Sequence, residues 1–122
     1  MPLKGVENIN ERNMVSDCLF CKIRDGEIPS TRVYEDEDII AFNDINPKTQ
    51  LHVLIVPRKH IATINDLESG DAELVGKLFL AAKKIAADAG YGDGYRVQMN
   101  CGEKGGQIIF HIHLHLMAGD RV

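Results

Sequence analysis

Two periodicities organise the chain. From Asp71 to Ala89, apolar residues return every three or four positions (Leu74, Leu78, Ala81, Ile85, Ala89), while Lys77, Lys83, Lys84 and Asp88 fall largely off that stripe. This pattern predicts one long amphipathic helix with a single face in a core. The other apolar runs are short and suit strands: Arg32-Val33-Tyr34 and Ile39 to Phe42, separated by the acidic turn Glu35 to Asp38, predict a hairpin. His52 to Val56 is continuously apolar after its first residue and is closed by Pro57, which predicts a buried central strand. Further strands are predicted over Tyr95 to Asn100 and Ile108 to Leu116, with the loop glycines Gly102, Gly105 and Gly106 between them. A short helix is predicted from Cys18, with Asp17 as its N-cap and Gly26 as its stop. Strands outnumber helices and do not alternate with them. The expected class is therefore α+β, a mostly antiparallel five-stranded sheet with one long and one short helix.

Composition narrows the partners. At 122 residues with 44% hydrophobic and 26% charged residues, the chain has the balance of one folded domain. We expect residues 1–16 to form a flexible arm and residues 17–122 the domain. The arm mixes Lys4, Glu7, Glu11 and Arg12 with polar residues and lacks the apolar stretch of a secretory leader, so the expected compartment is the cytoplasm. No apolar run approaches the roughly 20 residues that span a bilayer, so no membrane partner is expected. The net charge is −4 and no basic stripe is visible, which argues against a nucleic-acid partner. Three cysteines are too few for a disulfide scaffold, and reduced thiols, with or without a metal, fit better.

The chemistry concentrates in the histidines. His111, His113 and His115 alternate with Ile112, Leu114 and Leu116. On a strand the imidazoles would share one face, roughly 6.5 to 7 Å apart, and the aliphatic side chains would face the core. The remaining histidines, His52 and His60, flank the other apolar strand. If the two strands pair, every imidazole falls in one region. A neutral imidazole is a good nucleophile near pH 7, which makes this a candidate catalytic strand. The Cys18-x-x-Cys21 pair has three readings: ordinary buried thiols, a redox pair at a helix N-terminus, or half of a zinc site. Candidates for the other half are His60, His111 and Cys101.

The segment His111-Ile112-His113-Leu114-His115-Leu116, preceded by Gly105-Gly106-Gln107, resembles the histidine triad family of nucleotidyl hydrolases and transferases. Cys18 to Ile23, Gly26 to Pro29, Ala41 to Pro47 and His52 to His60 are similar to its Hint branch, so the resemblance covers roughly Asp17 to Gly119. It implies a homodimer that hydrolyses nucleoside phosphoramidates and adenylates, with a purine nucleotide (AMP or GMP type) as substrate and no organic cofactor. It implies His113 as nucleophile, His115 on the phosphoryl oxygens and His52 in support. It places Asp44 and Ile45 at the nucleoside, with the carboxylate on the ribose hydroxyls, and Asn100, Gly106, Gln107 and Ile108 on the phosphate side. Phe20 and Phe42, with Leu19, Ile23 and Ile28, would wall the base. Some bacterial members pair two such cysteines with the histidine of a Pro-x-x-His turn and the first triad histidine, which implies Zn²⁺ on Cys18, Cys21, His60 and His111. Ile108 departs from the branch, which usually has a hydroxyl there, so leaving-group preference does not transfer. A non-catalytic nucleotide-binding or adaptor module on the same fold is the alternative.

Overall fold

The computed structural model describes residues 17–119, so the expected arm lies outside the described residues. Helix α1 (Leu19–Arg24) is followed by strands β1 (Arg32–Glu35), β2 (Ile39–Asn43) and β3 (Leu51–Pro57), helix α2 (Ala72–Asp88), and strands β4 (Arg96–Gln98) and β5 (Leu114–Ala118). The strands form one sheet in the order β1-β2-β3-β5-β4, and each neighbouring pair is antiparallel.

Central β3 is covered on both faces because its alternate side chains meet different helices. Val53 and Ile55 join Ile39, Ala41, Leu114 and Leu116 against Leu78, Ala81, Ala82, Ile85 and Ala86 of α2. Leu54 and Val56 join Ile40 and Phe42 against Cys18, Phe20, Cys21 and Ile23 of α1. The α2 stripe is thus wider than predicted and includes Ala82 and Ala86. Ala89 drops out, because it follows the last helical turn and is exposed.

Three predictions need correction. The N-cap of α1 is Cys18, whose Sγ accepts from the Cys21 N–H at 3.3 Å, rather than Asp17. Strand β4 is shorter than Tyr95 to Asn100, because it is an edge strand paired only over Arg96–Gln98. The last strand runs Leu114–Ala118 rather than Ile108 to Leu116. Its ladder with β3 stops at the Ile55–Leu114 pair. Two residues further along β3, Pro57 has no N–H to donate, and its carbonyl accepts from His111 Nε2–H at 2.7 Å. His111 and His113 therefore precede the strand, in a segment whose Ile112 N–H donates to Ile61 O at 2.7 Å.

Candidate active site

All five histidines lie along the β3–β5 seam or just beyond it, and they divide into two groups of different chemistry. The first group lines a cavity of about 1150 Å³ on the α1 face of the sheet. His52 enters from β3 and His115 from β5, in strands that pair Leu54 with His115. His113 comes from the segment just before β5. Phe20 packs edge-on against His113, with ring centroids 4.9 Å apart.

Hydrogen-bond partners assign the tautomers, since a carbonyl only accepts and a backbone N–H only donates. Lys48 N–H donates to His52 Nδ1 at 3.1 Å, leaving the His52 proton on Nε2. That Nε2 lies 3.0 Å from His115 Nδ1, to which it donates, and 3.5 Å from Asp44 Oδ2. The His115 proton is then on Nε2. His113 Nδ1–H donates to the His111 carbonyl at 2.8 Å, so His113 Nε2 carries a lone pair. Burial holds all three rings neutral. It lowers the His52 and His113 values below the ordinary imidazole range. It brings His115 down to about 4, with help from the neighbouring His113 and His52.

A stability prediction follows from His52 and His115. Below pH 6.5 an unfolded chain protonates these rings while the folded chain resists, so the unfolded state binds more protons and stability falls. Thermal unfolding scans should show a level melting temperature from pH 8 to about 6.5 and a decline from there towards about 4. A decline with rising pH across that window would contradict the buried neutral assignment.

The second group is Cys18, Cys21, His60 and His111, whose ligand-type atoms all lie within 4.8 Å of one another. His111 Nδ1 is 3.3 Å from Cys18 Sγ, 3.6 Å from Cys21 Sγ and 3.2 Å from His60 Nδ1, and Cys21 Sγ is 3.4 Å from His60 Nδ1. Edges of roughly 3.3 to 3.8 Å belong to a tetrahedron with zinc–nitrogen and zinc–sulfur bonds of ordinary length. His111 donates Nε2–H to Pro57, so its Nδ1 faces the thiols with a lone pair, as a metal ligand must. Burial, together with the Cys18 thiol, pushes Cys21 up to about 12; a cation would have to displace that proton. Asp44, His52 and His115 also bring ligand-type atoms within 4.8 Å. There the Lys48 N–H forces a proton onto His52 Nε2, so that group is a hydrogen-bond relay instead.

The structure brings most of the expected substrate-side residues onto the cavity wall: Phe20, Phe42, Asp44, Ile45, Asn100, Gly106 and Ile108, and also Leu19, Ile23 and Ile28. Gln107 is the exception and does not line this cavity. It is buried, and its side chain accepts from Gly102 N–H at 2.8 Å and donates to Ala62 and Ile109 carbonyls at 2.7 and 3.0 Å. It braces the loop from behind. Gly106 adopts φ +92°, where glycine is favoured, and a Cβ there would come within 3.3 Å of Asn100 Nδ2. Sequence reasoning missed Lys48, Arg96 and Gln98, which also line the cavity. The alternation Arg96, Gln98, Asn100 was the available signal for the last two.

An antiparallel α+β sheet carrying a neutral histidine relay over a cavity, beside a second Cys/His group, defines the class of histidine triad proteins. Residues 17–121 match the family described as "Scavenger mRNA decapping enzyme C-term binding". The chain is 43% identical over 106 residues to an uncharacterized HIT-like protein of Synechocystis, covering 87% of this chain and 93% of that one. It is 40% identical over 103 residues to protein HitA of Neisseria gonorrhoeae, covering 84% and 96%. A HIT family hydrolase from Legionella pneumophila superposes with a TM-score of 0.84 at 51% identity, covering 86% and 95%. The chain belongs to the histidine triad family.

Proposed function

We propose that this protein is a nucleotidyl hydrolase or transferase that acts on purine nucleoside phosphoramidates or adenylates through a nucleotidyl-histidine intermediate. Solved relatives from Legionella pneumophila and Clostridium thermocellum are named HIT family hydrolases, which supports hydrolysis as the general chemistry. One observation carries the finer reading: the His111 carbonyl accepts a hydrogen bond from His113 Nδ1–H, leaving the Nε2 lone pair on a ring that lines the cavity.

In the first step His113 Nε2 bonds to the α-phosphorus, the bond from phosphorus to the leaving nitrogen or oxygen breaks, and that atom keeps the electron pair and takes a proton. In the second, water attacks phosphorus, the P–Nε2 bond breaks and the water gives up a proton, releasing the nucleoside monophosphate. The imidazolium charge of the intermediate is shared with the His111 carbonyl through Nδ1–H. His115 Nε2–H donates to a phosphoryl oxygen, and His52 and Asp44 hold that ring in place. We assign Zn²⁺ to Cys18, Cys21, His60 and His111, where the bound metal serves as a structural cross-link. The working form we propose is a cytoplasmic homodimer, and exposed Phe79 and Leu80 on α2 offer apolar surface for a second copy. No helix among the described residues is long and apolar enough to cross a membrane.

Mass spectrometry after brief mixing with an adenosine phosphoramidate tests the reaction: a nucleotidyl adduct on His113 is expected, and its absence under turnover would overturn the covalent route. The nucleoside end has its own test. Asp44 Oδ1 accepts from Asn46 N–H at 2.8 Å, and the carboxylate as a whole sits on the cavity wall. Losing charge-assisted bonds to the ribose should weaken AMP binding at least about tenfold in Asp44→Ala. Wild-type protein should also prefer AMP to its 2′-deoxy form. Equal AMP affinity of mutant and wild type, by calorimetry, would reduce Asp44 to a turn residue.

A further inference from the structure

The β4–β5 register places Gln98 opposite His115 and Arg96 opposite Met117. Since His115 and Met117 line the cavity, so do their cross-strand partners, and Asn100 follows on the same wall. These three side chains form one chain of hydrogen bonds. Arg96 Nη2 donates to Gln98 Oε1 at 2.9 Å, Gln98 Nε2 donates to Asn100 Oδ1 at 3.3 Å, and Asn100 Nδ2 donates to Gly105 O at 2.8 Å.

Both ends fix its direction. A guanidinium can only donate and a carbonyl can only accept, so neither amide between them can turn over without breaking two bonds. Asn100 Nδ2 keeps a second N–H beyond the one it gives to Gly105. Among the neighbouring side chains of the phosphate-side loop, Ile108 has no donor and the Gln107 amide donates to Ala62 and Ile109. Resting on the nucleotide reading of the cavity, we infer that Arg96 and Gln98 are positioning residues that hold Asn100 as a hydrogen-bond donor towards the phosphoryl group of the substrate. Arg96 and Gln98 act through Asn100.

The test uses the full chain, with AMP as probe. Gln98→Met removes the relay without adding a charge that would itself repel phosphate. It should weaken AMP binding roughly tenfold, the scale of a hydrogen bond to a charged group. Arg96→Met should act in the same direction and Arg96→Lys, which can still donate to Gln98, should stay within about twofold of wild type. A shift of the Asn100 side-chain amide signals in the ligand-free protein, in both Met variants and not in Arg96→Lys, is the readout that a purely structural role would not produce. Wild-type AMP affinity in Gln98→Met, or unmoved Asn100 signals, overturns the relay. Failure of the wild type itself to bind AMP overturns the nucleotide reading instead, and the amide signals then decide the relay alone.

Discussion

Replacing His113 with alanine should lower turnover of an adenosine phosphoramidate by at least about a thousandfold while AMP still binds. The size follows from the tautomers. His52 accepts at Nδ1 and donates from Nε2, His115 accepts at Nδ1, and His111 turns its bare nitrogen towards the thiols. Among the described residues on the cavity wall, no second imidazole offers a lone pair to phosphorus. Single-turnover kinetics together with AMP calorimetry separate loss of the nucleophile from loss of the pocket. Turnover near the wild-type rate would remove His113 from the reaction.

Cys18→Ser combined with Cys21→Ser should drop bound zinc from about one per chain to none and lower the melting temperature by on the order of 10 °C or more. The serine at position 18 is a deliberate choice. Cys18 also caps α1, and serine is a good cap, so the loss reports the cross-link rather than the helix end. Activity should fall less than in His113→Ala, because His113 remains. Elemental analysis of protein purified without chelators or a polyhistidine tag, alongside calorimetric melting, checks both parts. Metal-free wild type that melts like the double mutant would make these cysteines ordinary core thiols.

The two periodicities made most of the fold legible. The α2 stripe, the continuous run of β3 and the alternation after His111 each constrain one element through burial alone, and burial is what a hydrophobic pattern records. The meeting of His52 and His115 on adjacent strands was legible for the same reason. The start of β5 was not. It depends on Pro57 lacking an N–H while its carbonyl binds a histidine from 54 residues further along the chain, and no local pattern encodes that pairing. The bracing role of the Gln107 side chain was not legible for a related reason: it satisfies Gly102 and Ala62, contacts set by the folded loop. Arg96 and Gln98 belong to a strand too short for its polar alternation to stand out.

The placement of the histidines on either side of residue 114 divides the site mechanically. His115 belongs to a strand with hydrogen-bonded neighbours on both sides, so it is released only when the sheet itself comes apart. His113 precedes that strand and is held by the His111 carbonyl, by Phe20 and His115, and by the Ile112–Ile61 backbone bond of its own segment. A local opening that frees α1 and the Cys/His group would move His113 and leave the His52–His115 pair in the sheet. The site therefore has one half built into the sheet and one half held outside it by side-chain contacts.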